Sequence, residues 1–155
     1  YEDTVISEIN FETNDRYCLA EGTLITMVDG TQKPIELVSK EDIVLGYDFK
    51  TCRVVESVVK DIVAVKHDKY VELIACDGFS VTATPEHPFF IEGKGWCSLG
   101  ILESGDSILV FDNGRVVTKK IVNIRYIFRE IESYAITKLE GSIAYYANGM
   151  LTGVE

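Results

Sequence analysis

A seven-residue pattern that occurs twice limits this chain more than any other feature. Asp42-Ile43-Val44-Leu45-Gly46-Tyr47-Asp48 and Asp106-Ser107-Ile108-Leu109-Val110-Phe111-Asp112 share one order: Asp, any residue, Val or Ile, Leu, any residue, an aromatic, Asp. The spacing is 106 − 42 = 64 residues. A Gly turn (Gly30; Gly93 and Gly95) and a short Leu-bearing segment precede each copy. Long β-prone runs follow, Arg53 to Leu73 and Val116 to Tyr126. The duplication predicts two related, pseudo-symmetric β lobes that complete one core together.

Turn signals between the runs agree with that. Asp29-Gly30, Asp77-Gly78, Glu92-Gly93, Asn113-Gly114 and Asn148-Gly149 separate short stretches rich in Val, Ile, Thr, Tyr and Phe. Asp-Gly and Asn-Gly suit tight hairpins because both central residues of a type I′ turn need positive φ. Long amphipathic helices are missing, and only Pro34 to Val38 and Ser98 to Leu102 read as single helical turns. The expected class is all-β. Residues 1–17 read as a strand or two (Thr4-Val5-Ile6, Ile9-Asn10-Phe11) and a polar linker, flanking a domain over 18–155. A sequence opening on Tyr1 rather than Met reads as a fragment or processed piece.

Composition narrows the partners. The 155 residues are 46% apolar, enough for a buried core, and carry a formal charge of −10. That charge argues against nucleic acid and against anionic membrane surfaces, and no apolar run approaches a membrane span. A monomer is expected, and the sequence names no compartment. Four scattered cysteines (Cys18, Cys52, Cys76, Cys97) form neither a disulfide scaffold nor a Cys-x-x-Cys zinc motif, which suits a reducing environment. With two histidines, His67 and His87, no metal or other cofactor is implied. The repeated aspartates read as turn residues and His67 as a turn or surface residue. Cys52, Cys76 and Cys97 read as packing residues in β runs, with Cys97 near enough to His87 in sequence to approach the same region.

Two segments carry the chemistry. Cys18 stands before a Gly-containing bend in Cys18-Leu19-Ala20-Glu21-Gly22-Thr23, and by itself a lone cysteine is ordinarily a small buried apolar side chain. The second is Val81-Thr82-Ala83-Thr84-Pro85-Glu86-His87-Pro88-Phe89-Phe90, where a β run enters a turn and an apolar run leaves it. Pro85 fixes its own φ and Pro88 restricts His87, so Thr84 and His87 sit in a stiffened loop. A histidine held that way suits general acid–base work, and equally a core histidine satisfied by a carbonyl.

Together these segments resemble the Hint family of inteins, bacterial intein-like domains and hedgehog autoprocessing domains. Cys18 to Thr23 looks like the family's opening block and Thr82 to Phe89 like its Thr-x-x-His block. Glu92-Gly93-Lys94-Gly95-Trp96 continues as bacterial members do, and Tyr145 to Leu151 resembles the final strand. The resemblance implies a β horseshoe with Cys18, Thr84 and His87 meeting in its cleft. It also implies an N-to-S acyl shift in which the Cys18 sulfur attacks the Tyr17 carbonyl. His87 would protonate the leaving amine, and Thr84 would hold the distorted bond and the developing charge. The substrate would be the chain's own flanking polypeptide, and water, a thiol or an amine would resolve the thioester.

Departures from the family pattern limit that chemistry. Splicing domains end in His-Asn, and aligned on Ala147-Asn148-Gly149 those positions are Gly153 and Val154 here. Ala135 stands where the family often has Asp, and Ile143 where a histidine is common. Asn148 reads as a hairpin residue rather than a cyclising one. The expectation is thioester formation at Tyr17-Cys18 with N-terminal cleavage or transfer, and no splicing-type asparagine cyclisation. The alternative is a non-cleaving Hint module with a structural or interaction role. A Cys/His hydrolase acting in trans is a distant third.

Overall fold

The computed structural model describes residues 17–154; the strands expected within residues 1–16 lie outside the described residues. The first half runs β1 (Leu19–Ala20), β2 (Leu24–Thr26), β3 (Gln32–Pro34), β4 (Ile43–Asp48), β5 (Arg53–His67), β6 (Tyr70–Ala75) and β7 (Ser80–Ala83). The second runs β8 (Pro88–Ile91), β9 (Gly95–Ser98), β10 (Ser107–Asp112), β11 (Arg115–Ile127), β12 (Ile131–Glu140), β13 (Ala144–Ala147) and β14 (Met150–Gly153). All named pairings are antiparallel. The fold is all-β, as expected, and the two helical turns are the 3₁₀ segments Ile35–Leu37 and Leu99–Ile101. A third 3₁₀ segment, Cys76–Gly78, falls on the turn expected at Asp77-Gly78.

The 64-residue repeat extends well beyond the seven-residue pattern. Strand β4 maps onto β10 (107 − 43 = 64), and Ile35–Leu37 onto Leu99–Ile101 (99 − 35 = 64). The bridge Met27↔Val44 maps onto Ile91↔Ile108. Asp42 takes the Lys33 ammonium at 2.9 Å and the Ser39 N–H at 2.9 Å. Asp106 likewise takes Lys94 at 2.8 Å and the Glu103 N–H at 3.0 Å. Both aspartates are therefore loop-closing residues, and such partly exposed ion pairs add little stability by themselves. Long strands are exchanged between the lobes: β5 pairs with β12, which follows β11, and β11 pairs with β6, which follows β5. The β13–β14 hairpin joins the copies, setting Ala147 opposite Ile25 and Thr152 opposite Phe89 (89 − 25 = 64). Neither lobe is complete without the other's strands.

Turn chemistry accounts for the chain reversals. Asn113, Asn148 and Asp77 have φ of 52°, 49° and 64°, each followed by a glycine at positive φ, so these three use the left-handed pairs expected of them. At Asp29-Gly30 only the glycine is left-handed, and Asp29 accepts the Thr31 N–H at 3.0 Å. Asp68-Lys69 breaks the run Arg53 to Leu73 into β5 and β6. Cys52 is corrected from a strand residue to an exposed turn residue at φ 56°, and Cys76 to a 3₁₀ residue.

One variable position of the repeat is not free. Gly46 corresponds to the buried core residue Val110, yet a Cβ at Gly46 would stand 2.7 Å from both Ser57 Oγ and the Ala144 carbonyl. Gly46→Val, which makes the first copy like the second, is expected to cost about 2–3 kcal/mol in urea unfolding.

Candidate active site

The bend after Cys18 and the loop before β8 are counterparts within the repeat. The Thr23 N–H donates to the Ala20 carbonyl at 3.2 Å, and the His87 N–H to the Thr84 carbonyl at 3.1 Å (84 − 20 = 64). Each closes a one-turn loop between strands, so the fold offers two equivalent stations and places Thr23 at one and His87 at the other. Strand pairing then joins them: Leu19 opposes Ala83 across β1 and β7, setting Cys18 against Thr84.

Thr84 grips the backbone of Cys18 at three points. Its Oγ1 accepts the Cys18 N–H at 3.0 Å, its N–H donates to the Cys18 carbonyl at 2.9 Å, and its hydroxyl faces that carbonyl at 3.4 Å. The nitrogen of the Tyr17-Cys18 peptide bond is thus held by a threonine hydroxyl. Thr84 reaches this bond from the nitrogen side; the hydroxyl's contacts are with Cys18's own N–H and carbonyl.

His87 approaches from the other end of the bond. Its ring is buried, with 1% of its surface exposed, and both nitrogens lack a hydrogen-bond partner among the described residues. Burial drives its pKa down from 6.5 to about 3, opposed by the backbone of Tyr17. A group that favours the imidazolium must be an acceptor, and the backbone acceptor of Tyr17 is its carbonyl. The ring therefore faces the Tyr17 carbonyl without a well-formed hydrogen bond, and it is neutral at pH 7.

Cys18 itself is buried and packs on Val65, Ala135 and Val63. That hydrocarbon wall includes Ala135, so the sulfur has a methyl group beside it there. A cleft of about 360 Å³ holds Tyr17 together with Glu86, Trp96, Cys97, Ile143, Gly153 and Val154. Cys97 does approach this region, as a thiol.

Superposition on solved structures decides the fold. The chain matches a bacterial intein-like domain from Clostridium thermocellum with a TM-score of 0.79 at 21% identity, covering 88% of this chain and 97% of that one. It matches a DnaB intein from Synechocystis with a TM-score of 0.81 at 19% identity, covering 90% and 99%. This is a Hint/intein fold. The gp41-1 intein gives a TM-score of 0.69 at 24% identity over 88% and 98% of the chains. No family model matches the sequence, and no curated protein does.

At Gly153 a side chain would collide with a neighbouring ring. A Cβ on Gly153 would lie 2.9 Å and 3.1 Å from the indole of Trp96. That indole is wedged against Phe90 and Phe49, with ring centroids 5.2 Å and 5.6 Å away. Gly153→His is expected to cost about 1–3 kcal/mol in urea unfolding, and Trp96→Ala to absorb part of that cost in the double variant. Asn148 is pinned as a hairpin residue: Oδ1 accepts the Leu24 N–H at 2.7 Å and Nδ2 donates to the Ser80 carbonyl at 2.9 Å.

Three side chains near the site were not singled out from the sequence. Tyr70 and Tyr145 both feel the charge of Cys18, and Glu86 acts electrostatically on His67. His67 is corrected from a turn or surface residue to the end of β5, with Nε2 buried. Burial lowers its pKa, opposed by Glu86 and Asp68. The spacing of Tyr145 along its strand marks only an inward residue, so nothing in the sequence distinguishes its hydroxyl from a phenylalanine ring. Among the described residues no cluster of His, Cys, Asp and Glu suits a metal ion. No helix among them is long and apolar enough to cross a membrane.

Proposed function

We propose that the chain is an autoprocessing Hint domain that converts the Tyr17-Cys18 peptide bond to a thioester. The observation that carries this reading is the hydrogen bond from the Cys18 N–H to Thr84 Oγ1, which holds the nitrogen of that bond while His87 faces its carbonyl. The Cys18 sulfur forms a bond to the Tyr17 carbonyl carbon, and the C–N bond breaks. The thiol proton is lost from sulfur and the nitrogen gains one, so the shift is an isomerisation that needs no co-reactant. A neutral imidazole has one donor and one acceptor nitrogen, which lets His87 support the oxyanion and pass on that proton. Thr84 keeps the departing amine in place, a role at the nitrogen rather than at the developing charge.

Water, a thiol or an amine then attacks the thioester and releases residues 1–17. Asparagine cyclisation plays no part: Asn148 is tied into its hairpin, and Gly153 and Val154 replace the His-Asn pair. The domain spans residues 18–155, acts on its own flank as a monomer, and uses no cofactor. The second reading, a non-cleaving Hint module, draws on one observation, the hydrocarbon wall of Val65 and Ala135 at Cys18.

Mass spectrometry of the purified chain with dithiothreitol or hydroxylamine distinguishes them. The expected product begins at Cys18 and is absent from Cys18→Ala. An unchanged mass at every nucleophile concentration and pH supports the non-cleaving module.

A further inference from the structure

Among the described residues, three that carry hydroxyls interact with Cys18, Thr84 through its backbone and Tyr70 and Tyr145 electrostatically, and two of these hydroxyls are committed. Thr84 Oγ1 takes the Cys18 N–H at 3.0 Å and turns toward the Cys18 carbonyl. Tyr70 receives the His67 N–H at 3.2 Å and donates to the Ile131 carbonyl. The third belongs to Tyr145, which is wholly buried and whose hydroxyl has no hydrogen-bond partner among the described residues. An unpaired buried hydroxyl destabilises a core, and phenylalanine would fill the same space without that penalty.

Strand register directs this ring toward the site. Tyr145 opposes Thr152, and Thr152 opposes Phe89, so the three form one row across β13, β14 and β8. Directly opposed residues of antiparallel strands share a face. Phe89 touches the His87 ring, centroids 5.4 Å apart, and Thr152 is occupied in donating to the Pro88 carbonyl at 2.6 Å. Tyr145 shares its core with Leu19 and Ala83, the chain neighbours of Cys18 and Thr84. Burial raises its pKa well above the usual tyrosine range, and the charge of Cys18 acts in the same direction. At neutral pH the phenol is therefore a donor within electrostatic reach of the sulfur.

We propose that the Tyr145 hydroxyl, which has no partner among the described residues in the resting site, turns to the Cys18 sulfur as it ionises, donates a hydrogen bond to it and so holds it as the attacking thiolate. This rests on Cys18 being the nucleophile of the acyl shift. Tyr145 keeps its own proton throughout; the thiol proton is the one that moves to the nitrogen.

Tyr145→Phe removes one atom and leaves the ring, so it is expected to fold with an equal or higher melting temperature. Two readouts apply: the rate of dithiothreitol-driven cleavage, and the pH profile of Cys18 alkylation by iodoacetamide, read at peptide level by mass spectrometry. Cleavage is expected to slow about tenfold and the alkylation midpoint to rise by about one pH unit, the two being the same effect. Tyr146→Phe, whose hydroxyl donates to the Gly46 carbonyl at 3.1 Å, is expected to change neither. A folded Tyr145→Phe protein with the wild-type alkylation midpoint overturns the proposal, whatever its cleavage rate. A wild-type chain that never cleaves counts against the acyl shift, and the alkylation midpoint still decides the role of Tyr145.

Discussion

Replacing His87 with alanine is expected to slow dithiothreitol-driven cleavage at Tyr17-Cys18 by about 10²–10⁴-fold, the usual range for loss of a positioned acid–base group. Two things place the effect there. The ring faces the carbonyl that must become tetrahedral, and burial keeps it neutral, so it can donate and accept in one turnover. His67, the other imidazole, ends β5 under the influence of Glu86 and Asp68 and is not expected to substitute. Exogenous imidazole should restore part of the rate by entering the cavity left at position 87, and should do nothing for Cys18→Ala. A His87→Ala rate within about threefold of wild type would remove the histidine from the mechanism.

How far the sequence could foretell this site depended on which link of the argument a residue occupied. Cys18, Thr84 and His87 could be nominated because the two segments that hold them resemble the opening and Thr-x-x-His blocks of the Hint family; residue type and turn context alone left the cysteine and the histidine open. The architecture was legible because the repeat is carried by turn-closing aspartates, Asp42 and Asp106, which any β lobe of this shape needs in the same place. What the sequence could not show was the exchange of β6 and β12 between the lobes. Alternating apolar strands fix which face is buried and are silent on which partner lies alongside. The direction of Thr84 was likewise hidden. A hydroxyl beside a peptide bond can serve either the nitrogen or the oxygen, and only the pairing of β1 with β7 assigns it to the nitrogen. Trp96 and Gly153 show the same limit. They lie far apart in sequence, and their mutual exclusion exists only once β9 and β14 flank the same strand, β8.

The same histidine is expected to dominate stability in mild acid. Its pKa is 6.5 when unfolded and about 3 when folded, so between these values the unfolded chain binds one more proton than the native one. Stability then rises with pH across that window; conversely it is whole above about pH 6.5 and is lost as pH falls toward 3. The full shift corresponds to a loss on the order of 4–5 kcal/mol. Asp42 and Asp106 have the same sign of linkage, since their pKa values are also lowered, but from 3.8, so they lose their contribution only when pH drops further. The interval between about pH 4 and 6.5 therefore belongs to the histidines, and His67, buried less deeply, adds a smaller part of the same sign. Urea unfolding of His87→Gln, which cannot take up the proton, should be nearly flat over this interval while wild type falls steeply. Parallel profiles would mean that His87 is not held neutral in the native protein, and the dual donor–acceptor role assigned to it would go with that. If the profiles diverge as expected, protonation of His87 requires the site to open, and slowing of cleavage in mild acid is then a consequence of unfolding the cleft rather than of titrating a solvent-exposed base.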